Sequence, residues 1–341
     1  MERSKETMQM NGVRLDERVV PVSKSISHSA RLKLHASVGG DGAPHSASYA
    51  LPTPDDHDAW RRLRSMTDAH YASMLKATRS DVTAQTTTEQ IGSATVHVAT
   101  PADLRNSEIA YIDLHGGAFV FGGGDACRES ARGAADLHGV RCYGIDYRMP
   151  PDHPFPAALD DCLSVYRYAV QKYRADHVIL GGRSAGGNLA LATALRAQDE
   201  GLALPACLIL LSPEIDLTES GDSFSANRTL DVNLPNPLMS ANRLYANGAD
   251  LAHPYLSPQF GTFTKAFPPT FIQSGTRDLF LSNAVRLHRK LRKAAVATEL
   301  HVFEAMPHGG FGGTEEDEEI AQEVGRFIRA NVRGMPDRSA G

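Results

Sequence analysis

From residue 94 onward the chain alternates short apolar runs with longer helical segments, and this alternation restricts the fold more than any other feature. Ala94–Ala99, Ile109–Leu114, Arg141–Asp146, Val178–Gly181, Cys207–Leu211, Thr270–Ser274 and Glu299–Phe303 read as strands. Several are apolar along most of their length, as expected of strands covered on both faces. Cys127–His138, Pro156–Tyr173, Gly187–Gln198, Asn283–Ala294 and Glu315–Val332 read as helices between and after them. Repetition of this length predicts an α/β fold, with a mostly parallel central sheet flanked by helices and joined by right-handed crossovers. The stretch 213–269 breaks the rhythm with seven prolines and little periodicity. It is expected to be an insertion above the strand ends.

Residues 1–50 are poor in aromatic side chains and end in Gly39-Gly40-Asp41-Gly42-Ala43-Pro44. An irregular, partly mobile arm is expected there. Trp60, Leu63, Met66, His70, Tyr71, Met74 and Leu75 then recur at helical spacing. They predict an amphipathic helix over 55–77 whose apolar stripe packs on the body, either as plain packing or as a lid over a pocket.

Composition removes several classes of function. The formal net charge is −5, from 35 basic and 40 acidic residues, so the basic excess of a nucleic-acid binder is missing. No run approaches the ~18 to 20 apolar residues that span a bilayer. Met1–Met10 is polar, without the apolar core of a secretory signal. Cys127, Cys142, Cys162 and Cys207 form no CxxC pair, which argues against structural zinc and disulfides and for a reducing cytoplasm. No HExxH or other tight ligand spacing suggests a catalytic metal.

The chemistry lies just after the strands, where open α/β sheets place their ligands. Val178–Gly181 runs into Gly182-Arg183-Ser184-Ala185-Gly186 and then an Ala/Leu-rich helix. G-x-S-x-G in that setting is a sharp strand–turn–helix that exposes the serine hydroxyl, with glycines where side chains would clash. The plainer alternative is an ordinary turn that happens to contain a serine; the flanking strand and helix disfavour it. A serine needs a base, and the base needs an orienting acid, in the chain order Ser, acid, His. Asp278 follows strand Thr270–Ser274 and His308 follows strand Glu299–Phe303, both in glycine-bearing loops. Asp216 and Glu304 are rival acids, Glu304 the weaker for lying so close to its strand. Donors for a developing oxyanion are expected from Gly116 and Gly117, after strand Ile109–Leu114, and from the Ala185 N–H. Gly122-Gly123-Gly124 could instead suggest a phosphate cradle, but no G-x-x-x-x-G-K-[ST] or helix-opening G-x-G-x-x-G is present.

His115-Gly116-Gly117-Ala118 followed by Gly182-Arg183-Ser184-Ala185-Gly186-Gly187-Asn188 resembles the hormone-sensitive-lipase-like group of α/β-hydrolases. The segment from Asp146 to Ala158 is similar to that group's linking segment, and the resemblance spans about residues 90–332. It implies a Ser184–Asp278–His308 triad, an oxyanion hole from Gly116, Gly117 and Ala185, and Tyr147 and Arg148 in the floor of the site. It also implies a helical cap. Residues 1–90 would be arm and cap helices, 91–334 the catalytic domain with a cap insertion at about 213–269, and 335–341 a tail. Two positions depart from the pattern: Arg183, where the group often carries an acid, and Leu279, where proline often follows the acid. Arg183 is expected to play a structural part, paired with a buried or half-buried acid, rather than to face the site.

The implied activity is serine carboxylic-ester hydrolysis of small to medium acyl esters through an acyl-enzyme. Lactone hydrolysis by the same triad is the alternative, since the segment from Pro268 to Phe311 looks closest to bacterial esterases and lactone hydrolases. Amide or carbamate hydrolysis is more distant, and a non-catalytic binder is disfavoured because His308 is present. Long-chain lipase action is disfavoured too, for want of an extended apolar surface segment. No cofactor or metal, no nucleic acid and no membrane is expected as a partner, and a homodimer is left open.

Overall fold

The structure, a computed structural model, describes residues 19–78 and 81–335. Its frame is one sheet of eight strands: Gln85–Ile91 (β1), Ala94–Thr100 (β2), Asn106–Leu114 (β3), Val140–Asp146 (β4), Val178–Arg183 (β5), Cys207–Leu211 (β6), Thr270–Gly275 (β7) and Thr298–Phe303 (β8). Their spatial order is β1-β2-β4-β3-β5-β6-β7-β8. β2 runs antiparallel to β1 and β4, and all pairs from β4 through β8 are parallel. The ends of β5, β7 and β8 therefore open on one edge of the sheet.

Nine helices accompany it among the described residues: His28–Ala36 (α1), His57–Thr78 (α2), Asp125–His138 (α3), Ala157–Lys172 (α4), Ala185–Asp199 (α5), Ser223–Ala226 (α6), Met239–Ala246 (α7), Leu281–Lys293 (α8) and Glu315–Asn331 (α9). The period-2 alternation of each strand divides its side chains between two cores. Ala110, Ile112 and Leu114 pack with α4, α5 and α8, whereas Ile109 and Tyr111 face α1, α3 and α9. This is a three-layer α/β sandwich, and all seven strands expected from the sequence are present. The four cysteines are buried free thiols. No described helix is long and apolar enough to cross a membrane.

Several expectations need correction. The N-terminal arm is not irregular throughout, because α1 is a capped helix. The Ser27 hydroxyl accepts from Ala30 N–H at 3.0 Å, and Ser27 donates through its own N–H and hydroxyl to Glu316 of α9 at 2.7 and 2.8 Å. So short a helix owes its existence to this docking, which local sequence does not reveal. Residues 1–18, and the tail beyond Met335, lie outside the described residues. β1 was not expected at all. Its Gln-Thr-Thr-Thr-Glu-Gln-Ile sequence is polar because it is an edge strand, and pairing with β2 rather than burial forms it.

The face of α2 also differs. Trp60 and Ala72 are buried, while Met66, Tyr71 and Met74, placed by spacing on the packed stripe, are exposed. His70 is exposed as well. Polar side chains on the inward face decide the rotation: Arg64 ion-pairs with Asp152, and Asp68 accepts the Gly122 N–H at 2.6 Å. The 213–269 stretch, expected as an insertion above the strand ends, carries the short helices α6 and α7. Trp60, Phe121, Phe224, Leu238, Leu244 and Phe280 form one apolar cluster there, joining α2 to the inserted segment above the strand ends.

Candidate active site

β5 delivers Ser184 in a backbone conformation that side chains other than glycine seldom adopt, φ 55° and ψ −122°. Its N–H bonds to the Leu211 carbonyl at 2.9 Å, and its own carbonyl receives Glu214 N–H at 3.1 Å. The elbow is thus pinned from the neighbouring strand β6. Glycine is required on either side: a methyl on Gly182 would strike the Gly186 backbone, and one on Gly186 would strike the Leu114 carbonyl. Ser184 immediately precedes α5, whose first N–H groups and dipole favour negative charge beside it.

The loops after β7 and β8 bring the other two side chains to the serine. His308 Nε2 lies 3.0 Å from Ser184 Oγ, and His308 Nδ1 lies 3.1 Å from Asp278 Oδ1. An ionised carboxylate only accepts, so Nδ1 carries the ring proton and the Nε2 lone pair faces the serine hydroxyl. Asp278 is fully buried. Burial by itself would push its carboxyl up, but the adjacent imidazole and the bonds from His308, Phe280 N–H and Ser274 hydroxyl hold it below the ordinary carboxylate value. It is an anion where an anion is needed.

Gly116 sits against the elbow, where a methyl would come within 3.4 Å of Ser184 Cβ. No described residue takes up the N–H of Gly116 or Gly117. Beneath them His115 stacks on Tyr147, with ring centroids 4.1 Å apart, and the Tyr147 hydroxyl donates to the His115 carbonyl at 2.9 Å. Burial keeps the His115 imidazole below its usual value and therefore neutral. Arg148 is engaged by the buried Asp161. Tyr147 supports the chain at His115, directly before Gly116.

The rivals are elsewhere. Asp216 is occupied by Arg286, Thr218 and Ser220, and Glu304 is exposed. The Gly122–Gly124 turn is no phosphate cradle, because Asp68 already accepts from Gly122 N–H and Asp146 from Gly124 N–H. A cleft of about 690 Å³ lies between this turn and α2, lined by Arg64, Asp68, Lys76, Asp146 and Met149, and Ser184 is not part of its lining. Among the described residues the one group with metal-ligand spacing is Glu299, His301 and Glu323, and Arg326 pairs with both of its carboxylates.

A family model described as alpha/beta hydrolase fold matches residues 111–311, a span that contains every one of these loops. The chain belongs to that family. A solved structure of an esterase named E25 is 32% identical with a TM-score of 0.87, covering 94% of this chain and 99% of that one. An esterase from the bacterial hormone-sensitive lipase family superposes with a TM-score of 0.77 at 27% identity, over 90% of this chain and 99% of its own. An acetyl-hydrolase of Streptomyces hygroscopicus is 30% identical over 220 residues, 64% of this chain and 73% of that protein. This α/β-hydrolase sits among esterases.

Arg183 makes a contact that its position in the sequence did not suggest. Its guanidinium donates to the Gly309 carbonyl, next to His308, so it buttresses the imidazole loop from the elbow side. Arg183→Ala should lower kcat by about fivefold, the worth of about 1 kcal/mol of lost hydrogen bonding. Steady-state kinetics beside a melting curve check this. A large fall in melting temperature with unchanged kcat would restore the purely structural role.

Sequence reasoning missed one group of residues altogether. Asn227, Asp231 and Asn233, in the inserted segment, bond to the backbone of the Asp278 and His308 loops. Nothing in their spacing distinguishes them from ordinary turn residues.

Proposed function

We propose that this chain hydrolyses carboxylic esters of small to medium acyl groups through a covalent acyl-enzyme on Ser184. The observation that carries this reading is the unbroken run of hydrogen bonds from the Ser184 hydroxyl through His308 to the buried Asp278 carboxylate. Ser184 Oγ attacks the ester carbonyl carbon while His308 Nε2 takes its proton, and the carbonyl electron pair moves onto oxygen. The N–H groups of Gly116, Gly117 and Ala185 stabilise that oxyanion. Collapse breaks the bond to the alcohol oxygen, which leaves with the proton from Nε2, and the acyl group stays on Ser184. Water then gives its proton to Nε2, attacks the acyl carbon and releases the acid, as Ser184 regains its hydrogen. Asp278 remains an anion throughout and fixes the imidazole tautomer. The catalytic domain would run over 91–334, capped by the N-terminal segments and the 213–269 insertion.

The apolar cluster of Phe121, Phe224, Leu238 and Phe280 borders the oxyanion and acid loops, which supports an uncharged acyl or alcohol group. The relative named acetyl-hydrolase supports a short acyl chain. The test is turnover of p-nitrophenyl esters of rising chain length beside a panel of lactones, before and after overnight chelation. Short linear esters should give the highest kcat/KM, undiminished by the chelator. Lactones opened faster than any linear ester would reassign the substrate class, and chelator-sensitive turnover would sink the serine mechanism.

A further inference from the structure

The residues that hold the acid loop and the imidazole loop together come from the inserted segment rather than from the sheet. Asp231, fully buried, accepts the N–H of Leu279 at 2.8 Å and that of His308 at 3.0 Å on Oδ2. Its Oδ1 accepts from Asn233 and Leu234 N–H at 2.9 and 3.0 Å. Leu279 follows Asp278 directly, and the other N–H belongs to His308 itself. One carboxylate oxygen is therefore shared by two loops that the chain joins only through α8 and β8. Asn227 and Asn233 flank this contact. Asn227 Nδ2 donates to the Asp278 carbonyl at 2.8 Å, and Asn233 Nδ2 donates to the His308 carbonyl at 2.8 Å and the Gly310 carbonyl at 3.1 Å.

The charge of Asp231 matters as well as its geometry. Burial and the neighbouring Asp278 push its carboxyl up to about 6, while the His308 imidazole and the backbone N–H groups pull the other way. Above that pH it is ionised, and one anion serves all four donors. The ionisable groups acting on it are Asp278 and His308.

We propose that Asp231 is a positioning residue of the active site. Its carboxylate locks the Asp278 and His308 loops at the spacing acyl transfer needs, and sets a second negative charge near the imidazolium that forms during it. The inference rests on the Ser184–His308–Asp278 reading, so Ser184→Ala is run in the same assay to separate the two.

The experiment is steady-state kinetics of purified full-length Asp231→Asn on p-nitrophenyl butyrate from pH 5 to 9. The amide keeps the volume but turns an NH₂ group towards N–H donors, so one pair of bonds is lost. kcat should fall on the order of ten- to a hundredfold, the cost of a misplaced catalytic group. KM should stay within about threefold of wild type, because no substrate contact is removed. The acid limb of kcat/KM should move to lower pH, since removing a nearby anion disfavours the imidazolium. A residue that only braced the fold would leave kcat and the acid limb of the folded enzyme unchanged, and that result overturns the proposal. Should Asp231→Asn prove insoluble, Asn233→Ala decides. Its exposed position tolerates truncation, a fall in kcat of about fivefold is expected from the lost grip on the His308 loop, and unchanged kcat overturns the proposal. A dead Ser184→Ala beside a fully active Asp231→Asn would remove this inference alone, whereas an active Ser184→Ala would remove both readings.

Discussion

Purified Ser184→Ala should melt at the wild-type temperature and lose a factor on the order of 10⁴ to 10⁶ in ester turnover. The side chain contributes a hydrogen bond to His308, and alanine keeps the Cβ that lies against Gly116. The backbone bonds that pin the elbow, from Ser184 N–H to Leu211 and from Glu214 N–H to Ser184, are indifferent to the substitution. On the proposed mechanism what disappears is the nucleophile, and the proposed oxyanion donors of Gly116, Gly117 and Ala185 would account for any residual rate. An organophosphate should add a single adduct mass at Ser184 in wild type and none in the variant. Activity above a few per cent of wild type would mean that another group attacks the carbonyl.

Asp278→Asn should stay folded and turn over about 10⁴ more slowly, the loss seen when the orienting acid of a serine triad becomes an amide. The amide NH₂ would compete with Nδ1–H and favour the opposite tautomer, leaving Nε2 protonated where it must accept. Asp216→Asn serves as the control. Asp216 is spent on Arg286, Thr218 and Ser220, so its substitution should lower the melting temperature and leave kcat within a fewfold of wild type. Turnover of the two variants, measured side by side with their melting curves, checks the assignment. The reverse ranking would move the acid to the end of β6.

Ser184, Asp278 and His308, which the structure brings into one hydrogen-bonded run, stand out in the sequence because each follows a strand in a loop that carries glycine. The elbow is a local problem of backbone sterics, and only a narrow pattern solves it. The close approach of Gly116 to the elbow has a related cause, since backbone that must approach a neighbouring strand end cannot carry side chains. Arg183 shows where this kind of reasoning stops. That it lies beside the nucleophile is a fact of sequence, but its reach to the Gly309 carbonyl depends on how the loop after β8 folds back.

Sequence by itself determined the α/β alternation, the order of the chemical groups along the chain and the strand ends on which they sit. All three follow from interactions within a few residues, namely periodicity, turn sterics and the direction of parallel strands. Tertiary structure alone decided the helix in the N-terminal arm, the polar edge strand β1 and the face that α2 turns inward. In each of these the stabilising partner is remote: Glu316 for Ser27, β2 for β1, and the Gly122 N–H for Asp68. It also decided that Asp216 meets Arg286 while Asp231 meets His308. Both acids lie in the same proline-rich stretch and carry the same local signature. A buried carboxylate takes its role from the donors that fold around it, and those arrive from loops that only the closed sheet brings together.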